Sequence, residues 1–75
     1  MTAGTEEMAM AANAPKISLA AARVNAELTQ EEAARRLGLN RKTILRYEKG
    51  QGKPTRAMLK KMAETYGFPP EMIRL

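Results

Sequence analysis

Residues 41 to 49, RKTILRYEK, carry four cations, Arg41, Lys42, Arg46 and Lys49, beside one carboxylate, Glu48. A guanidinium is a planar fork of N–H donors and an ammonium a compact positive charge, so both types bind anions and acceptor-rich edges. At 100° per residue, Lys42 and Arg46 centre one side of a helix, and Arg41, Leu45 and Lys49 fill the same arc. Ile44 and Tyr47 share the opposite side, flanked by Thr43 and Glu48. Such a helix buries one narrow face and presents its cations on the other. Arg41 and Lys42 then fall in the first turn, where the macrodipole favours anions. Lys42 and Arg46 form a like-charge i,i+4 pair costing about 0.2–0.5 kcal/mol. Stability alone does not select this pattern, whereas a partner bringing negative charge to that end reverses the sign of each effect.

Other chemistry is scarce. The chain has 75 residues with no Cys and no His. That excludes disulfides, most zinc sites, and Cys–His or Ser–His nucleophilic catalysis. No constellation suited to an enzyme remains, and no cofactor or metal is expected. One small domain is the natural size, with little buried surface to spare. No apolar run approaches the ~20 residues that span a bilayer. The first fifteen residues, MTAGTEEMAMAANAP, hold two glutamates and no basic stretch, unlike a signal peptide. No membrane partner and a reduced, cytoplasmic setting are therefore expected.

The net charge of +5 is unevenly spread. Residues 1–40 sum to −1, while residues 41–75 hold nine basic and three acidic groups, a balance of +6. A basic half attracts polyanions, nucleic acid foremost, although a solubilising surface has the same composition.

The elements that position the cations are legible as helices. Residues 1–15 show no sustained stripe and read as a flexible N-terminal arm, leaving a domain over residues 16–75. Ser18 caps a first helix, LAAARVNAE, whose inward stripe is Leu19, Ala22, Arg23 and Ala26. Arg23 is the misfit on that stripe and needs a partner. Thr29 and Glu32 form a capping box for a second helix, with Ala33, Ala34 and Leu37 inward and Gly38 at its end. Asn40 caps the cationic third helix, which Gly50 stops. Thr55 caps a fourth, with Met58, Leu59, Met62, Ala63 and Tyr66 on one stripe and Gly67 closing it. FPPEMIRL predicts a short fifth helix, with Phe68, Met72 and Ile73 completing the core. With no alternating strand pattern, repeat or low-complexity tract, the sum is an all-α, compact five-helix bundle.

The second and third helices are joined by Gly38, Leu39 and Asn40, the short connection of a helix-turn-helix. In that motif the second helix enters the DNA major groove by its N-terminal end. Arg and Lys suit guanine O6 and N7, and a Leu45 side chain suits a thymine methyl. Phosphates around the helix relieve its self-repulsion.

The run LTQEEAARRLGLNRKTILRYEKG, residues 28–50, resembles the helix-turn-helix of phage repressor and Cro-type (lambda-repressor-like) regulators. The shared features are Leu28-Thr29-Gln30 entering the second helix, Ala34 within it, Gly38 at the turn, Ile44 in the third helix, and Tyr47-Glu48-x-Gly50 at its end. The order of helices from about residue 17 to 75 agrees, and ISLAAARVNA is similar to openings of such regulators. The resemblance implies base contacts from Arg41, Lys42 and Arg46. It implies phosphate or groove-edge contacts from Gln30, Asn40 and Thr43, with Lys49, Lys53 and Arg56 along the adjacent backbone. It also implies a buried ion pair between Arg23 and Glu48.

A regulator of this type, expected to repress from an operator, binds double-stranded DNA in the nucleoid. Two copies on a palindromic site, paired through Phe68–Leu75, would supply the area one module lacks. The chain then stands alone as a Cro-like regulator or forms the DNA-binding half of something longer. The alternative is a protein-interaction module on the same fold, such as an antitoxin with its toxin as partner, because fold does not fix function.

Overall fold

Each helix begins on a side chain that satisfies its own first turn. The computed structural model describes residues 16–75; the arm expected over residues 1–15 lies outside the described residues. The order is β1 (Ile17–Ser18), α1 (Leu19–Asn25), α2 (Gln30–Leu37), α3 (Arg41–Glu48), α4 (Arg56–Tyr66), a 3-10 turn (Pro70–Met72) and β2 (Ile73–Arg74). Ser18 Oγ accepts the Ala21 N–H at 3.1 Å, Thr29 Oγ1 the Glu32 N–H at 3.0 Å, Asn40 Oδ1 the Thr43 N–H at 3.0 Å, and Thr55 Oγ1 the Met58 N–H at 3.1 Å. Each such cap contributes about 1 kcal/mol. At α2 the box closes reciprocally, since the Thr29 N–H donates to Glu32 Oε1 at 2.8 Å. That donation, seconded by the Thr29 side chain, holds the Glu32 carboxyl below its ordinary value.

The helix ends reuse one device. At α2 the Leu39 N–H returns to the Ala34 carbonyl at 2.9 Å and the Gly38 N–H to that of Arg35 at 3.4 Å. This Schellman closure needs a left-handed residue, supplied by Gly38 at φ 71. It turns the chain sharply enough for α3 to start three residues later. α1 closes in the same way, through the Leu28 N–H to the Arg23 carbonyl and the Glu27 N–H to that of Val24. Here the left-handed position falls on Glu27, φ 61, the one non-glycine with positive φ among the described residues. The helix expected over residues 19–27 therefore stops at Asn25.

The core is built from Leu19 and Ala22 of α1, Leu28, Ala33, Ala34 and Leu37 of α2 and its approach, Ile44 of α3, Met62, Ala63 and Tyr66 of α4, and Ile73. α2 packs most closely on α3, and α4 lies against both α1 and α2. Leu37, Ile44 and Met62 are the largest fully buried side chains, each stabilising the fold by about 1.5–3 kcal/mol.

The expected fifth helix is not formed. Pro70–Met72 makes one 3-10 turn, closed by the Met72 N–H to the Pro69 carbonyl at 2.9 Å, and the chain then extends. Consecutive prolines at 69 and 70 lack N–H groups, and Pro70 holds Pro69 in the extended conformation, φ −63 and ψ 144, so the helical turn starts only after it. The backbone of residues 73 and 74 pairs instead, in parallel, with residues 17 and 18: Ile17 opposite Ile73 and Ser18 opposite Arg74. Arg74 Nη1 donates to the Lys16 carbonyl at 2.9 Å, fastening the same seam. Among the described residues the bundle thus has four α-helices and a two-stranded clasp.

Two outcomes follow from these local geometries. Glu27 is exposed, and glycine adopts its φ without the Cβ clash, so Glu27→Gly should raise stability by about 0.5–1 kcal/mol. A urea midpoint at or below the parent's would contradict this. Tyr66 is 3% exposed and its Oη has no hydrogen-bond partner among the described residues. Burial, with the negative charge of Glu48 adding and Arg23 opposing, lifts its phenol from the ordinary 10.0 to about 12. An acid whose pKa is raised on folding stabilises fully below the unfolded value, and that contribution is lost as pH climbs from 10 to 12. Urea midpoints measured across that window should fall in the parent and fall less in Tyr66→Phe; parallel curves would assign the loss elsewhere.

Candidate nucleic-acid interface

Arg23 and Glu48 meet where three helices converge. Arg23 sits in the last turn of α1, and its Nε donates to Glu48 Oε2 at 2.7 Å while Nη2 donates to Oε1 at 3.3 Å. Nη1 donates to the Leu28 carbonyl at 2.8 Å, clasping the turn whose own N–H bonds the Arg23 backbone. Gln30, the first residue of α2, donates its Nε2–H to Glu48 Oε1 at 3.0 Å. The charged side chains are 13% and 6% exposed, which makes this pair expensive to desolvate and dependent on every one of those bonds. The helix ends contribute opposite signs: the C-terminus of α1 favours Arg23, and that of α3 disfavours Glu48. The guanidinium compensates the second by its direct contact.

With Glu48 turned inward, the outer surface of α3 is left to cations. Arg41, Lys42 and Arg46 are exposed, as are Lys49, Lys53 and Arg56 in the following turn and the start of α4. Among the described residues the one ion pair is Arg23–Glu48, so none of these six is neutralised. The first turn of α3 contains no acidic residue. By contrast α2 carries Glu31 and Glu32 in its first turn and Arg35 and Arg36 in its last, the arrangement a helix dipole stabilises. Adjacent helices of equal length thus carry opposite charge in their first turns.

The polar residues around these cations are partly committed. Asn40 Oδ1 accepts both the N–H and the hydroxyl of Thr43, the latter at 3.2 Å, leaving the Asn40 amide N–H groups without an acceptor among the described residues. Gln30 spends one N–H on Glu48 and retains the other with its carbonyl oxygen. Thr43 and Leu45 are half-buried at the margin of α3. The structure therefore joins Gln30 to α3 through Glu48 and gathers Asn40, Arg41, Lys42 and Thr43 at the N-terminal end. Lys49, Lys53 and Arg56 follow beyond the other end.

A model of the helix-turn-helix family matches residues 19–73, which spans all four helices and reaches β2. The chain belongs to the helix-turn-helix family, of phage repressor and Cro type. It is 43% identical over 47 residues to the cryptic phage CTXphi transcriptional repressor RstR of Vibrio cholerae. That match covers 63% of this chain and 42% of the relative, so the chain spans less than half of that protein's length. No solved structure matches the chain. Among the described residues, no helix is long and apolar enough to cross a membrane.

Two parts of the site had no signature in the sequence. The Leu28 carbonyl becomes an acceptor because Glu27 turns left-handed, a conformation its residue type does not announce. The Gln30–Glu48 bond joins residues eighteen apart on different helices.

The convergence can be tested on stability alone. Arg23→Ala leaves a largely buried carboxylate with Gln30 as its remaining side-chain donor and should cost about 3 kcal/mol. Replacing both partners, Arg23→Met with Glu48→Leu, removes the uncompensated charge and should recover most of that loss. Equal destabilisation of the single and double variants in urea would show that something other than the ion pair is at stake.

Proposed function

We propose that this protein is a sequence-specific regulator of transcription that binds double-stranded DNA and represses by occupying an operator. α3 enters the major groove with its N-terminal end foremost. Arg41, Lys42 and Arg46 read base edges, with Leu45 against a thymine methyl. Gln30, Asn40, Thr43, Lys49, Lys53 and Arg56 bind phosphates along the groove walls, where amide and ammonium donors face oxygen acceptors.

The observation that carries this reading is the charge on α3: an unneutralised cationic helix whose first turn lacks any acidic residue, beside a helix charged as stability prefers. A surface that merely keeps a protein in solution has no reason to concentrate like charge at the positive end of one helix. DNA gives it one, because phosphates favour both the side chains and the dipole. Membership in the helix-turn-helix family supports the geometry, and the repressor named in the Vibrio cholerae match supports the direction of control. A single module of this size covers little DNA, so two copies occupy half-sites about one helical turn (~34 Å) apart.

Binding to an operator selected from random duplexes provides the test. Each phosphate neutralised releases counterions, and log K should fall by ~0.9 per contact with log salt. Lys42→Ala with Arg46→Ala should lower discrimination between operator and random duplex by roughly 1–3 kcal/mol per lost base contact while the thermal midpoint holds. A flat salt response rejects DNA as the partner; a steep response with unaltered discrimination rejects these two residues as readers.

A further inference from the structure

Arg46, one of the three proposed readers, lies against the loop that follows α3. α3 closes with the Gln51 N–H on the Arg46 carbonyl at 2.9 Å and the Gly50 N–H on that of Tyr47 at 3.2 Å. This folds the chain back along the helix it has just left, and the next residue, Gly52, comes to lie against the Arg46 side chain. A methyl group built on Gly52 would stand 3.3 Å from Arg46 Nη2 and 3.9 Å from Cζ. The guanidinium therefore rests over the bare Cα of Gly52. Gly52 is half-buried although its neighbours Gln51 and Lys53 are exposed.

The backbone does not require glycine at this position. Gly38, Gly50 and Gly67 all have positive φ, between 71 and 80, but the φ of Gly52 lies outside the left-handed range that side chains avoid. What the missing Cβ provides is room. Arg46 has no hydrogen-bond acceptor among the described residues, so packing against the loop is its available restraint. The loop itself is anchored close by, because Pro54 is buried and Thr55 caps α4.

We infer that Gly52 is a positioning residue for recognition: it forms the seat that orients the Arg46 guanidinium before DNA arrives. A long, exposed arginine loses rotamer freedom when it docks, and a seat that removes part of that freedom beforehand strengthens and sharpens the contact. The inference rests on Arg46 reading a base edge as proposed above. It adds that the specificity of this reader is set from outside α3. A side chain at position 52 displaces the guanidinium by a few tenths of an ångström at little cost in fold stability, since the group that must yield is the end of a flexible chain.

The experiment is a four-protein cycle of parent, Gly52→Ala, Arg46→Ala and the double variant. Affinities are measured for the selected operator and for operators changed at one base pair at a time. Arg46→Ala should lose roughly 5- to 150-fold discrimination at its own base pair. Gly52→Ala should lose about three- to tenfold at that same base pair and nowhere else, with the salt slope and thermal midpoint unchanged, a fraction of the full bidentate contact. In the Arg46→Ala background Gly52→Ala should have no further effect. In the free protein, the Arg46 Nε–H resonance should shift in Gly52→Ala while that of Arg41 stays in place. If Arg46→Ala matters and Gly52→Ala matches the parent at every position, the seat is overturned and the reader stands. If Arg46→Ala changes nothing, both fall. An unmoved Arg46 resonance overturns the seat without reference to DNA, and a Gly52→Ala effect that persists without Arg46 assigns the loop a role of its own.

Discussion

Everything exposed on α3 depends on how firmly its hidden end is held. Arg23 grips Glu48 with two donors and the Leu28 carbonyl with a third, and Gln30 adds a fourth bond from α2. The pair thereby fixes the C-terminal end of α3 against two other helices and the turn between them. The N-terminal end, seven residues away, projects outward. At 1.5 Å per residue that lever is about 10 Å long, so each degree of tilt at Glu48 moves the Arg41 backbone by roughly 0.2 Å. Recognition by bidentate contacts tolerates errors of about 0.5 Å, which is only a few degrees. Isolated hydrophobic packing around Ile44 permits small rocking motions more readily than four directional bonds do. The desolvation cost of the pair is then matched by orientation as much as by stability.

The contrast between α2 and α3 follows from the same anchoring. α2 is charged in the sense its dipole favours and presents Ala33, Ala34 and Leu37 to the core, so it forms on local grounds. α3 has one fully buried residue, Ile44, and a first turn whose charges oppose its dipole. It owes its formation to the Asn40 cap, to the close approach that the small alanines of α2 allow, and to Glu48. A helix stabilised from outside can carry a surface it would not choose by itself. In the proposed reading, that surface is the one DNA requires.

These differences also explain what the sequence made legible. Caps, capping box, glycine stops and apolar stripes act within a few residues, and the four helices they define stand within two residues of the expected bounds. The C-terminal segment failed because its prolines suit the start of a helix, while the chain after them gained more from pairing with Ile17 than from further turns. A two-residue strand leaves no alternating pattern to detect. Leu28, Leu39, Ile17 and Pro54 join or border the core from turns and strand, where no helical stripe marks them. At the site, residue types and helix phase expose the cations, and the inward placement of Arg23 signals that it needs a partner. The Gln30–Glu48 bond and the contact of Gly52 with Arg46 depend on how separate segments meet, which no local pattern encodes.

The arrangement separates residues that are free to change from those that are not. Arg41 and Lys42 have no intramolecular side-chain partner among the described residues, so other side chains there alter the outward surface and, by relieving like charge, cost the fold nothing. Arg23, Gln30 and Glu48 lie in one bonded cluster, where changing one member strands the rest. Arg46 is intermediate: it is exposed and its side chain has no ion-pair or hydrogen-bond partner among the described residues, yet its guanidinium lies against a loop residue, Gly52. If Arg46 reads a base as proposed, a different side chain at position 46 would meet a loop surface that now lies against a guanidinium, and position 52 would have to change with it. In the proposed reading, recognition on this scaffold is adjustable at the leading end of α3 and coupled to the loop at the trailing end.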